Sequence, residues 1–167
     1  MSDANDRAAR RAPGLPIVAA PEAAAERGHA DGRASAVMDA ARPALRDEDL
    51  FDLLVDFYAT VERDERLAPY FAVVDMRAHM PRIVDFWSTL LFHTGRYTGN
   101  AFRPHMEMPG LTADHFARWV GVLEATVDAR FAGDAAERMK ALGHRIAYSM
   151  QLRLGIEPFA GYQALPG

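Results

Sequence analysis

Apolar side chains recur along residues 47–155 at the spacing of α-helices. In the first such segment they stand at positions i, i+3, i+4, i+7, i+8 and i+11, which share one helix face; these are Leu50, Leu53, Leu54, Phe57, Tyr58 and Val61. Charged residues occupy the opposite face. The pattern therefore predicts an amphipathic helix that buries one side against other elements.

Three further segments show the same helical period, and none alternates with period two for long enough to form a strand. A short element at residues 67–71 contains Pro69 and is expected to turn its two aromatic residues inward. The apolar positions of the longer segments are His79, Ile83, Phe86, Trp87, Leu90 and Leu91; then Phe116, Trp119, Val120, Leu123 and Val127; then Met139, Leu142, Ile146 and Met150. Four long helices with short joints predict an all-α fold.

The two ends of the chain lack this periodicity. Residues 1–46 are rich in Ala and Arg and contain four prolines, without an apolar face that could join a core. We therefore predict a disordered tail at 1–46, a globular domain at 47–155 and a C-terminal tail at 156–167. The N-terminal tail is expected to be dispensable for ligand binding.

Composition excludes several classes of protein. The net charge of −4 and the pI near 5.8 give no reason to expect nucleic acid or a membrane surface as a partner. The absence of cysteine excludes disulfides, thiol catalysis and covalent haem attachment. No apolar run is long enough to span a bilayer. The weakly apolar stretch near residue 15 is broken by Pro13, Gly14 and Pro16, so we predict a cytoplasmic protein.

His105 lies on a short, stiff segment. Pro104 fixes the backbone before it, Pro109-Gly110 stops any helix that starts nearby, and Thr112 is a suitable N-cap for a helix from about residue 113. A loop histidine is by itself a weak signal, since it is as often a surface residue.

Three polar-tipped side chains fall on inward helix faces, namely Tyr58, His79 and Trp119. Burying such a tip without a partner costs about 1–3 kcal/mol, so a ligand that uses these groups is one explanation. The alternative is that the Tyr and Trp tips reach nearby carbonyls. A two-histidine zinc or copper site lacks a third ligand, because no Cys, Asp or Glu falls on an inward position near His79 or His105.

At these positions the sequence resembles the group III truncated haemoglobins, a family of short bacterial globins. The resemblance covers residues 47–155 and rests on several motifs together: Phe57-Tyr58, His79 followed by Ile83, Phe86 and Trp87, then Tyr97-x-Gly99, His105-Met-Glu-Met-Pro and His115-Phe116-x-x-Trp119. It implies a two-over-two helical sandwich. Pro81, two residues after His79, must lie in the first turn of its helix or kink it.

The resemblance also implies a role for each matched residue. It makes His105 the proximal ligand of haem b iron and His79 the distal histidine. Tyr58 and Trp119 become distal hydrogen-bond donors. Phe57, Ile83 and Trp87 would form the apolar wall of the pocket. Tyr97, Arg82 and Arg103 would contact the haem, and the two arginines would do so through the haem propionates. Met106 and Met108 would pack on the proximal side, while His93, His115 and His144 would be structural or surface residues.

The implied function is binding of O₂, NO or CO at a pentacoordinate iron. Oxygen bound to iron is partly anionic, and several donors aimed at it would slow its release. That favours redox chemistry on the ligand, such as NO dioxygenation or peroxide reduction, over transport, and such chemistry needs a reductase that the sequence does not identify. Two alternatives stay open: a haem-based sensor or carrier without turnover, and a haem-free helical interaction protein.

Overall fold

The computed structural model describes residues 42–158, and within them the fold is entirely helical. Two 3₁₀ turns, Asp47–Asp49 and Arg103–Glu107, accompany five α-helices, which are α1 (Leu50–Val61), α2 (Ala68–Phe71), α3 (Met76–Phe92), α4 (Ala113–Arg130) and α5 (Asp134–Arg153). The predicted all-α fold is confirmed. The disorder predicted for residues 1–41 and the end of the C-terminal tail lie outside the described residues.

The long helices form two layers. Helix α1 packs against α3 and α4, and α4 packs along α5. Glu124 contacts His144 at one level of the α4–α5 pair and Asp128 contacts Lys140 at another, so α5 runs antiparallel to α4. The pairs α1–α3 and α4–α5, joined through the contact of α1 with α4, agree with the two-over-two sandwich that the family resemblance implied.

The apolar face of α1 lies at the centre of this sandwich. All but one of the residues predicted to share that face are fully buried, and Tyr58 is half-buried. Facing helices contribute Ile83, Trp87, Leu123 and Val127 to the same cluster. Burying a Leu, Ile or Phe side chain is worth about 1.5–3 kcal/mol, so this cluster is the main source of stability.

At the start of α3, the residues that face the core differ from those predicted. Its buried apolar residues are Met80, Ile83, Trp87 and Leu91, at i, i+3, i+7 and i+11, whereas His79 is exposed. His79 stands one residue before Met80, about 100° around the helix, and therefore cannot share the core-facing line. The prediction that His79 points into the packed core is wrong.

Pro81 lies in the second turn of α3 and not in the first. The helix starts after Asp75, whose carboxylate accepts a hydrogen bond from the backbone N–H of Ala78 at 3.1 Å. Pro81 is the sixth helical residue and has no N–H, so the carbonyl of Arg77 lacks its usual partner four residues on. The first turn of α3, which carries His79, is therefore joined to the next turn by one backbone hydrogen bond fewer than usual.

Residues just before the predicted domain boundary pack on the helices. Leu45 is only 3% exposed, and the N–H of Ala132 donates to the carbonyl of Pro43 at 3.1 Å. Ala44 and Ala132 form an isolated parallel bridge beside these contacts. The packed part of the chain therefore begins ahead of Arg46, the predicted end of the N-terminal tail.

Asp64 ties the turn after α1 to α4. Its carboxylate accepts hydrogen bonds from the backbone N–H groups of Arg66 at 3.0 Å and Leu67 at 3.2 Å, and it pairs with Arg118. Burial acts to raise the pKa of Asp64, but these hydrogen bonds outweigh it and hold that pKa below its ordinary value.

None of the helices in residues 42–158 combines the length and apolar character that crossing a membrane requires.

Candidate functional site

His105 is positioned by a short turn that its own neighbours build. The side chain of Asn100 accepts hydrogen bonds from the backbone N–H groups of Phe102 at 3.0 Å and Arg103 at 3.3 Å, which starts the 3₁₀ turn. Pro104 occupies one of the first two positions of that turn, where its missing N–H costs nothing. The N–H of His105 then donates to the carbonyl of Phe102 at 3.1 Å.

The ring of His105 is oriented by a backbone carbonyl. Its Nδ1 lies 2.8 Å from the carbonyl oxygen of Ala101. A carbonyl only accepts, so Nδ1 carries the hydrogen and Nε2 keeps its lone pair. Burial lowers the pKa of His105, the Ala101 carbonyl opposes that shift, and the charge of His79 adds to it. The half-buried ring is therefore neutral at pH 7 and has the tautomer that a metal ligand needs.

His79 and His105 lie close enough to influence each other electrostatically. His79 is in the first turn of α3, on a face that it shares with the half-buried Phe86 and Leu90, at i, i+7 and i+11. This face is distinct from the core-facing line of the same helix. The structure thus places the two histidines near each other although 26 residues separate them in the sequence.

An aromatic cluster joins α1 to α4. The rings of Tyr58 and Trp119 both meet Phe57 edge to face, with centroids 4.7 Å and 5.4 Å away, and Phe71 lies 5.7 Å from Tyr58. Burial raises the pKa of Tyr58 far above its ordinary value, so its hydroxyl keeps its hydrogen. The hydroxyl makes no hydrogen bond to any residue in the described range. The alternative that the Tyr58 hydroxyl donates to a nearby carbonyl is therefore not observed among these residues.

Arg82 and Tyr97 come together on the side of α3 next to the loop that leads to His105. The guanidinium carbon of Arg82 lies 5.7 Å from the centre of the Tyr97 ring, which in turn meets Phe86 edge to face at 5.3 Å. The N–H of Tyr97 donates to Thr89 Oγ1 at 3.0 Å. Arg82 and Tyr97 were predicted as separate haem contacts, and the structure brings them together in one cluster.

The remaining predicted site residues have other surroundings. The three proposed pocket-wall residues, Phe57, Ile83 and Trp87, are buried in the main core. Arg103 is exposed at the start of the 3₁₀ turn and makes no ion pair with a described acidic residue. Met106 is 46% exposed, so it packs less than the proximal position implied.

The other histidines of the helical region have structural contacts. His115 caps α4, with Nδ1 2.7 Å from the Thr112 hydroxyl, and Thr112 is the N-cap that the sequence predicted. His93 ends α3 in a left-handed conformation, and His144 contacts Glu124 at 2.7 Å. The expectation that these three are structural or surface residues agrees with these contacts.

Two surface grooves accompany these clusters. A groove of about 390 Å³ runs between α3 and the following loop, and Tyr97, Phe86, Leu90 and Phe102 are among its lining residues. A larger groove of about 660 Å³ lies between α1 and α4, and it is lined by none of the predicted site residues. The smaller groove therefore adjoins the Arg82–Tyr97 cluster.

Sequence reasoning missed several residues of the site. The Ala101 carbonyl carries no sequence signal, because any residue supplies one. Asn100 could have been found, since Asn two or three residues before a proline-containing turn often caps it. Phe71 was expected to point inward, but nothing in its spacing indicated a contact with Tyr58.

Among the described residues, no three His, Asp or Glu side chains cluster as a metal site of their own.

The helix order and packing are those of a truncated globin. No protein-family model matches the sequence. The sequence is 24% identical over 90 residues to the group 3 truncated hemoglobin ctb of Campylobacter jejuni. The matched region covers 50% of this chain and 71% of that protein. The structure is similar to the crystal structure of the group III truncated hemoglobin of C. jejuni, with a TM-score of 0.61 and 22% identity over 66% of this chain and 92% of the other. The predicted truncated globin fold and the resemblance to group III truncated haemoglobins are confirmed.

Proposed function

We propose that this protein is a haem protein that binds diatomic gases at an iron held by His105. The observation that carries the proposal is the fixed, neutral ring of His105, whose Nδ1 donates to the Ala101 carbonyl at 2.8 Å and whose Nε2 makes no hydrogen bond to a described residue. That arrangement is the one in which a proximal histidine presents Nε2 to haem iron. Its place in a truncated globin fold supports the same role.

The haem would be haem b, because the chain has no cysteine for covalent attachment. When bound, haem supplies an iron with an open position for O₂, NO or CO. The apolar wall of the pocket would come from the neighbouring core residues Phe57, Ile83 and Trp87. Arg82, Tyr97 and Arg103 would hold the propionates, since guanidinium and phenol groups both donate to carboxylates.

On the distal side, Tyr58 and Trp119 would donate hydrogen bonds to a partly anionic gas. The Tyr58 hydroxyl is protonated and makes no hydrogen bond to a described residue, so it is available as a donor. Two hydrogen-bond donors in the pocket would stabilise bound O₂ more strongly than bound CO, because CO carries less negative charge. His79, exposed in the first turn of α3, would act as a gate or an additional donor.

Slow release of oxygen would favour redox chemistry over transport. We therefore propose NO dioxygenation or peroxide reduction, and either reaction requires a reductase as electron donor. We also propose a cytoplasmic location, which the interrupted apolar stretch near residue 15 supports. A sensor or carrier would use the same pocket without turnover, and steady-state NO consumption in the presence of NADH and a flavin reductase distinguishes the two.

The test of haem binding is reconstitution of the full chain with haemin. We expect a Soret band for the wild type and for His79→Ala, and a weak or missing band for His105→Ala, because only His105 would anchor the iron. His93→Ala, which changes an exposed histidine at the end of α3, is the matched control. Wild-type protein that takes up no haem would end this proposal in favour of a haem-free helical protein. Retention that depends on His79 and not on His105 would reverse the proximal and distal assignments.

A further inference from the structure

Phe102 supplies the backbone acceptor on which the His105 turn closes. Its carbonyl accepts hydrogen bonds from the N–H groups of His105 at 3.1 Å and Met106 at 3.3 Å. Its own N–H donates to the side chain of Asn100 at 3.0 Å. These bonds all lie within residues 100–106, so they shape the turn but do not fix its place against the helices. A contact from elsewhere in the fold has to do that.

The end of α5 makes such a contact. The guanidinium carbon of Arg153, the last residue of α5, lies 4.2 Å from the centre of the Phe102 ring. A guanidinium over an aromatic face is attracted by the quadrupole of the ring. Arg153 is exposed and makes no ion pair with an acidic residue of the described range, so no described carboxylate competes with the ring for its charge.

The Phe102 ring also joins the second apolar cluster of the domain, which lies between α4 and α5. Leu154 and Ile156, which follow Arg153, pack against the same cluster, and its buried members are Phe116, Val120, Ala147 and Met150.

The turn after α5 fixes the backbone of Arg153. The N–H of Ile156 donates to the carbonyl of Gln151 at 2.9 Å, and Gly155 takes the left-handed φ of 69° that commonly ends a helix. Arg153 therefore has helix on one side and a closed, packed turn on the other. The end of α5 presents its guanidinium to Phe102 from a defined position.

We propose that Arg153 is a positioning residue for His105 and acts on it through the Phe102 ring. The inference rests on the proposed function, since it concerns the histidine that would hold the iron, and it adds a residue from the last helix. Arg153 acts by keeping Phe102, and with it the whole turn, in one place on the domain. The direction in which His105 presents Nε2 is fixed as a result.

The experiment measures the Fe–His105 stretching band of the ferrous, ligand-free full-length protein by resonance Raman spectroscopy. We expect Arg153→Ala to shift or broaden the band of the wild type, because the ring of His105 would then adopt more than one orientation. Haem loss from the ferric protein to an excess of apomyoglobin should accelerate about two- to fivefold, the factor that corresponds to one cation–π contact at an exposed site.

Two variants serve as comparisons. Arg145→Ala is the matched control, because Arg145 is exposed on the same helix and makes no ring contact in the described range, and its band and haem loss should equal those of the wild type. Arg153→Lys should lie closer to the wild type than Arg153→Ala does, because an ammonium is also attracted to an aromatic face.

Phe102→Leu separates this role from a general loss of stability. Leucine keeps an apolar side chain in the cluster but has no aromatic face for a cation. In the Phe102→Leu background, Arg153→Ala should therefore change neither the band nor the rate of haem loss further. An equal effect of Arg153→Ala in both backgrounds, or an unchanged band in Arg153→Ala, would overturn the inference while leaving haem binding intact. Failure of the wild type to take up haem would instead overturn the proposed function.

Discussion

The hydroxyl of Tyr58 is a single group whose removal tests the proposed distal pocket. Tyr58→Phe deletes one oxygen and keeps the ring, so the contacts with Phe57 and Phe71 persist. No hydrogen bond to another described residue is lost, because the hydroxyl makes none. The folded protein should therefore keep its stability, and a change in ligand release would report on the ligand alone.

The size of the effect follows from the loss of one hydrogen-bond donor. Burial of the Tyr58 side chain raises its pKa strongly, so the hydroxyl is an uncharged donor at every pH of interest. Losing a hydrogen bond there costs about 1–3 kcal/mol, which corresponds to roughly a 5- to 150-fold faster release of a partly anionic ligand. CO carries less negative charge and should be released at nearly the wild-type rate.

The assay is stopped-flow displacement of O₂ and of CO from the ferrous protein. Tyr70→Phe is the matched control, because the Tyr70 ring packs against His115 and makes no ring contact with Tyr58, and its hydroxyl lies near Gly110. Trp119→Phe should also accelerate O₂ release, although the two effects need not add if both donors reach one ligand atom. Small, equal changes for both gases would refute the reasoning and favour storage or sensing over redox chemistry.

Three further predictions concern the helical framework. Leu45→Ala should lower the free energy of unfolding by about 2–4 kcal/mol, whereas Leu152→Ala, at a site 54% exposed, should change it little; urea denaturation measures both. The carboxylate of Asp64 contributes stability that is present above its ordinary pKa and lost as the pH falls through its lowered folded pKa. In Asp64→Asn the free energy of unfolding should therefore fall less steeply with decreasing pH below about pH 4. Gly143→Ala should cost about 1–3 kcal/mol in the same denaturation assay, because the new Cβ would lie 2.4 Å from Leu123 Cδ2, and an unchanged midpoint would mean that this side chain moves aside freely.

The helices could be predicted because each has a continuous apolar face. The period of 3.6 residues identified α1, α4 and α5, and the Thr112 cap was found from residue type alone. His79 shows the limit of that reasoning. It lies at the margin of the apolar face of α3, and periodicity cannot decide on which side of the helix a marginal residue falls until the partner helices are in place.

The contacts of the candidate site were less predictable for a related reason. The meeting of Arg82 with Tyr97 over Gly99 depends on how the loop after α3 folds back, and that path is set by Arg96 and its contact with Asp47, 49 residues away in sequence. Similarly, Leu45 gave no periodic signal because it precedes the first helix, and its neighbours Pro43 and Ala44 contact Ala132, far along the chain.

The turn that carries His105 has a consequence for how the protein assembles. Its orienting contacts come from Asn100, Ala101 and Phe102, all within five residues of His105, so they can form as soon as that short loop closes. Tyr58 and Trp119 are 61 residues apart and meet around Phe57 only when α1 and α4 have packed. We therefore expect the turn that carries His105 to form early in folding, and Tyr58 and Trp119 to converge only with the complete sandwich.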